Sequence, residues 1–113
     1  MKNRVSKPWG AYEVIEKKKE YWIKKLFVKG GEQLSVHSHH DREEQWIVLE
    51  GHIRARIGNR KKELGVGQMC HINKDQKHRI TGIAPMSVIL EIAFGHPLEG
   101  DVTRYEDRYG RVK

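Results

Sequence analysis

A single cysteine, Cys70, stands among 113 residues. No internal disulfide framework can form, so the fold must rest on its core. Apolar runs are short, with residues 86–90 among the longest, whereas a bilayer span needs about 20 such residues in a row. The opening Met1-Lys2-Asn3-Arg4 leads into no apolar segment of the secretory type. These absences give the expectation of a soluble, cytoplasmic protein with no membrane partner. No stretch of a dozen residues carries a helical period, and no linker, repeat or low-complexity tract interrupts the chain, so a single domain over residues 1–113 is expected. No motif interleaves basic and aromatic residues in the manner of a nucleic-acid-binding face, and nucleic acid is not an expected partner. Acidic residues are the scarcer charge, 15 against 22 Lys and Arg, for a net charge of +7. That balance favours anionic partners without naming one.

What is present is a series of short strands. Hydrophobic residues make up 37% of the chain and charged residues 33%, polar for a globular domain, yet Trp, Tyr, Ile, Val and Leu recur throughout. A chain of this length buries roughly two-thirds of the surface it exposes unfolded, enough for one core. Residues 11–15 and 21–28 are rich in β-branched and aromatic side chains, with Lys17-Lys18-Lys19 as the turn between them. Residues 34–39, 45–49 and 52–57 follow, the last alternating Ile53, Ala55, Ile57 against His52, Arg54, Arg56. Gly51 marks a tight turn and Gly58-Asn59 a hairpin. Residues 61–64, 69–72, 78–81 and 87–94 complete the series. Many short strands with Gly-rich turns predict an all-β sandwich or barrel.

The chemistry concentrates between Gly31 and Gly51. His37 and His39 are two apart, so on a strand both side chains point to one face, as two ligands of one ion must. Residues 40–43 are polar and can bend the chain. An antiparallel return would then bring Glu44 beside the histidine pair. His78, at the start of a later strand, supplies a further imidazole. Three histidines and a glutamate suit Zn, Mn, Fe, Co or Ni.

The spacing Gly31-x5-His37-x-His39-x4-Glu44-x6-Gly51 resembles the first motif of the cupins without a mismatch. The second motif, Gly-x5-Pro-x-Gly-x2-His, is matched at Gly67 and His78, with Asn73 and Asp75 in place of the Pro and Gly. Asn and Asp both tolerate tight turns. The resemblance implies a double-stranded β-helix, or jelly roll, with the metal inside the barrel. A closer likeness covers nearly the whole chain. Lys7-Pro8-Trp9-Gly10-Ala11-Tyr12-Glu13 resembles the opening of the type II phosphomannose isomerase domain, and residues 101–111 are similar to its closing signature. Arg42, Glu44 and Trp46 match that family's pattern around its metal. The chain departs from it in carrying Gln45 where His is usual and His37 where Gln is frequent. Relatives are often fused behind a sugar-nucleotide pyrophosphorylase with a Gly-rich nucleotide loop. That loop is absent from these residues, so a stand-alone cupin without guanylyl transfer is expected.

The resemblance implies a metal-dependent aldose–ketose isomerase converting mannose 6-phosphate to fructose 6-phosphate, with His37, His39, Glu44 and His78 on the metal. Such chemistry requires a base. Glu91, flanked by Ile89, Leu90, Ile92 and Ala93, is one candidate, its pKa raised if it points inward. His40 is another, although as the neighbour of His39 it should face away. Arg42 would steady the anionic intermediate or the substrate. Lys24, Arg104, Arg108 and Arg111 are candidates for the phosphate, since guanidinium groups bind it bidentately. The family likeness also implies a homodimer. Two other functions fit the same ligand set: a non-catalytic cupin that binds a sugar or sugar phosphate, and an Fe-dependent oxygenase. His52, His71 and His96 are expected at turns or on the surface, Cys70 as a small apolar residue, and the three tryptophans in packing.

Overall fold

The computed structural model describes residues 4–97 and 100–110. Among these the regular structure is entirely strand: β1 (Arg4–Lys7), β2 (Gly10–Lys17), β3 (Tyr21–Lys29), β4 (Val36–Ser38), β5 (Arg42–Glu50), β6 (His52–Ile57), β7 (Arg60–Gly65), β8 (Met69–Ile72), β9 (His78–Gly82), β10 (Met86–Gly95) and β11 (Thr103–Glu106). They form two antiparallel sheets, ordered β1-β2-β3-β10-β5-β8 and β11-β4-β9-β6-β7. This is the all-β architecture expected from the strand pattern, in the jelly-roll form that the family resemblance implies.

Alternation decides which side chains enter the barrel. On β3, Trp22, Lys24, Leu26 and Val28 are buried while their neighbours are more exposed. β10 pairs along its length with β3 and β5, setting Glu91 opposite both Lys24 and Trp46, and Ile89 opposite Leu26 and Val48. From the second sheet Ile53, Ala55, Leu64 and Ile80 close the apolar core. The β6–β7 hairpin turns at Gly58-Asn59, as its sequence predicts.

One pairing differs from expectation. β4 and β5 do not form a hairpin. β4 lies between β11 and β9 in the second sheet, whereas β5 lies between β10 and β8 in the first. The polar residues after His39 carry the chain from one sheet to the other, so Glu44 meets the histidines across the barrel interior. Gly51 makes a similar crossing from β5 to β6. Its φ is +84°, and a Cβ there would lie 2.5 Å from Ser87 Oγ and 2.6 Å from the Met86 carbonyl oxygen; only glycine meets both demands. Two strands, β1 and β11, lie outside the expected series. Both are short edge strands without a buried alternating face.

Candidate metal centre

Backbone register assembles the site. His37 on β4 is the partner of His78 on β9, and of Arg104 on β11. Partners share a face, so both imidazoles and the guanidinium turn inward in one row. His39 follows just beyond β4. The three rings lie with centroids 4.3–5.0 Å apart. Among the described residues they form the group whose ligand atoms all fall within 4.8 Å of one another.

Each ring is held through the same atom. His37 Nδ1 lies 2.8 Å from the Ser35 carbonyl oxygen, His39 Nδ1 2.6 Å from that of Asp101, and His78 Nδ1 2.8 Å from that of Gln76. A carbonyl only accepts, so each Nδ1 carries the proton and each Nε2 presents a lone pair. Asp101 also accepts hydrogen bonds from the backbone amides of His40 and Asp41 through its carboxylate. One residue thus clamps both the crossover and the His39 ring. The opposite side of that crossover is fixed by Asp75, whose amide donates to the His39 carbonyl. Asp75 has φ +62°, the left-handed conformation that Asp tolerates where the cupin motif has Gly.

Glu44 borders the imidazoles, with carboxylate oxygens 3.2 Å from His39 Nε2 and 3.8 Å from His78 Nε2. It accepts hydrogen bonds from Arg42 Nε at 2.8 Å and Trp46 Nε1 at 3.0 Å. Arg42 also donates to His39 Nε2 at 2.9 Å. His78 Nε2 is buried and has no hydrogen-bond partner among the described residues. A buried polar atom left in that state is costly unless something pairs with it. Three imidazoles presenting Nε2, one of them orphaned, beside a carboxylate are a donor set that fits a divalent cation.

Electrostatics agree. Burial drives His39 down to about 4, with Arg42 and His78 adding to it. Burial likewise lowers His37 and His78. All three rings are therefore neutral and available as ligands at neutral pH. Burial pushes the Glu44 carboxyl up, but the favourable contacts outweigh it and the net direction is down. Arg42 is the foremost of the contacts that favour the ionised Glu44, and the Trp46 N–H adds to it.

A cavity of about 200 Å³ opens beside the histidines, lined by Lys24, His37, His39, Arg42, Glu91 and Arg104 among others. His78 and Glu44 are more deeply set, 0% and 1% exposed. Glu91 is pushed up to about 7, first by burial and then by Glu44, against the pull of Arg42, Lys24 and the Trp22 N–H. Trp22 Nε1 donates to Glu91 at 3.2 Å, and its ring carries Lys24 Nζ at 3.9 Å and the Arg42 guanidinium at 4.7 Å. Lys24 Nζ also lies 4.4 Å from the Tyr12 ring centroid.

The expected site residues therefore divide. His37, His39, His78, Glu44, Arg42, Glu91, Lys24 and Arg104 are brought together. His40 is not: its ring is exposed and pairs with Asp75 at 3.1 Å, because adjacent residues of an extended chain face opposite ways. It is withdrawn as a base in the cavity. Arg108 is withdrawn as a phosphate ligand there. It donates to the Gly31 carbonyl at 2.6 Å and pairs with Glu32 at 3.6 Å, outside the cavity. Arg111 lies outside the described residues. His52 and His71 pair with Glu63 and Glu43 on the surface. Burial raises the Cys70 thiol to about 11, which leaves it a poor nucleophile. Sequence reasoning missed Ser35, Gln76 and Asp101, which hold the rings through backbone carbonyls any residue could supply, and missed the Asp101 carboxylate that accepts from the His40 and Asp41 amides. It also missed Tyr12 and the second role of Trp22. For Trp22 the strand parity with Lys24 was the available signal, whereas Tyr12 shares that face through the pairing of β2 with β3.

The barrel and its inward histidine group define a cupin. The chain belongs to the family described as mannose-6-phosphate isomerase C-terminal, whose model matches residues 1–107. It is 41% identical over 115 residues to the mannose-1-phosphate guanylyltransferase ManC of Salmonella typhimurium, covering 99% of this chain and 24% of that protein. It is 40% identical over 111 residues to the mannose-1-phosphate guanylyltransferase of Escherichia coli K12, covering 96% and 23%. The chain thus spans about a quarter of the length of the curated relatives it matches. Among solved structures, oxalate decarboxylase from Bacillus subtilis superposes with a TM-score of 0.82 at 13% identity, over 91% of this chain and 30% of that one. That likeness concerns the fold.

The relatives overturn the expected activity. Proteins that match this chain almost end to end are named for guanylyl transfer to mannose 1-phosphate, a step of sugar-nucleotide synthesis, and not for isomerisation of mannose 6-phosphate. The mannose-6-phosphate isomerase assignment is corrected accordingly. The lack of a Gly-rich nucleotide loop in these 113 residues has no weight against the relatives' chemistry, because the alignment concerns only a quarter of their length.

Proposed function

We propose that the chain serves sugar-nucleotide synthesis, as the metal-holding cupin unit of a mannose-1-phosphate guanylyltransferase. The observation that carries this reading is the 41% identity to such an enzyme over 99% of the chain. His37, His39, His78 and Glu44 would hold the cation, and the donor set suits Zn, Mn, Fe, Co or Ni. A bound divalent ion supplies Lewis-acid stabilisation of oxygen ligands.

The protein's own groups account for recognition of a phosphorylated sugar. Lys24, Arg42 and Arg104 give the cavity a cationic wall, and Arg104 enters it from the same row as His37. Guanidinium groups bind phosphate oxygens in pairs. Glu91, held near neutrality, can accept or donate a hydrogen bond to a sugar hydroxyl. Trp9 and Tyr12 add aromatic surface against which a sugar ring can pack.

Titration calorimetry of the metal-loaded chain with mannose 1-phosphate and with GDP-mannose tests the reading. Saturable binding of either, weakened at least about tenfold by Arg104→Gln, supports it. Absence of binding by both at millimolar concentration would sink it.

A further inference from the structure

A second cluster of cations lies on the other side of the second sheet. Arg56 on β6 is the register partner of Lys61 on β7 and of Arg79 on β9. Ile53 and Ala55 point into the core, so alternation places Arg54 and Arg56 on the outer face. Lys61, Arg56 and Arg79 therefore form one cross-strand row there. Like charges directly opposite one another weaken a sheet, so the row needs a reason beyond stability.

The row borders a cleft of about 260 Å³ that also includes Arg54, Gln33, Thr81 and Glu106. Arg79 is pre-oriented, with Nε donating to the Leu34 carbonyl at 2.9 Å. Internal acids answer only part of the charge. Glu106 meets Arg56 at 3.4 Å and Glu63 meets Arg54 at 3.3 Å. Lys61 is paired through its backbone with Arg56, and its ammonium has no ion pair or hydrogen bond among the described residues.

We propose that this cleft binds a small polyphosphate, a di- or triphosphate group, independently of the metal centre. Neighbouring strands lie about 4.8 Å apart, so three aligned cations span roughly 10 Å. A linear chain of phosphates matches that span with the three side chains extended side by side, whereas a single phosphate would require all three to converge. Two of the three are guanidinium groups, which favour bidentate contact with phosphate oxygens. The concavity favours a compact anion over the flat acidic surface of another protein. Glu106 is then the internal anion that the ligand displaces from Arg56.

The test is calorimetry of the full chain, dialysed free of divalent ions, with inorganic tripolyphosphate and orthophosphate at low salt. We expect one tripolyphosphate per chain, bound at least about tenfold more tightly than orthophosphate. Lys61→Gln should weaken it several-fold without lowering the melting temperature, since relief of like-charge repulsion can only raise it, and Arg56→Gln with Lys61→Gln should weaken it further. Glu106→Gln should tighten it, an effect that misfolding cannot imitate. Binding unaffected by the Lys61 and Arg56 changes overturns the proposal, as does binding lost on Arg104→Gln, which would place the anion in the metal cavity. Tighter binding of a polyglutamate peptide than of tripolyphosphate also overturns it, in favour of an acidic protein surface.

Discussion

The two ends of the barrel interior are made from the same strands. Inward positions on β3 run from Lys24 to Leu26 and Val28, those on β5 from Glu44 to Trp46 and Val48, those on β9 from His78 to Ile80, and those on β10 from Glu91 to Ile89. One end is a continuous apolar core. The other is a buried assembly of imidazoles, carboxylates and cations. Lys24, Glu44, His78 and Glu91 are buried as Leu26, Val48, Ile80 and Ile89 are, so depth alone does not distinguish core from site; what differs is whether each side chain needs a partner. The apolar end holds the strands in register, and that register sets His37 beside His78.

The contrast can be broken first at the apolar end. Ile80→Ala should cost about 2–5 kcal/mol of unfolding free energy, from lost transfer energy and the cavity left behind. Denaturant melts would measure this, and metal stoichiometry of the folded fraction should stay unchanged. An equal loss of metal would show that the two ends are not separable.

A smaller effect belongs to the polar end. Glu91 has its folded pKa raised from 4.5 to about 7. The native state then binds more protons than the unfolded state between these values, so this group's contribution to stability falls as pH rises through that window. Glu91→Gln should remove that loss, on the order of 3 kcal/mol. Urea midpoints of the two proteins should lie closest near pH 4.5 and diverge toward pH 8, with the variant the more stable.

Trp46 sits at the boundary, packed in the core while its N–H meets Glu44. Trp46→Phe keeps most of the packing and deletes that bond. We expect about a tenfold loss of metal affinity, the lower range for removing a group that orients a ligand, with stability lowered by only about 1 kcal/mol. Metal titration and thermal melts on the same sample separate the two effects.

Much of this was legible in the sequence. Parity along each strand places His37 and His39 on one face, and the spacing to Glu44 and His78 marks four groups that the fold does bring close. The Arg54 and Arg56 alternation was equally visible. Other features were set by tertiary contact and had no local signal. β11 has no alternating apolar face, and its place beside β4 comes from pairing across the barrel, so the entry of Arg104 in register with His37 could not be read from spacing. The departure of β5 to the opposite sheet was hidden for a similar reason. A polar bend looks alike whether the chain returns to the same sheet or crosses to the other. Asp101 holds His39 through a backbone carbonyl, which carries no residue-type signature.

The most direct test is the metal content of the purified chain after saturation with a divalent ion and gel filtration, measured by elemental analysis beside His78→Ala. Near one equivalent per chain for the native protein, falling to background in the variant while the barrel still melts cooperatively, is the result our account requires. Equal metal in both proteins, or none in the native chain, would contradict it.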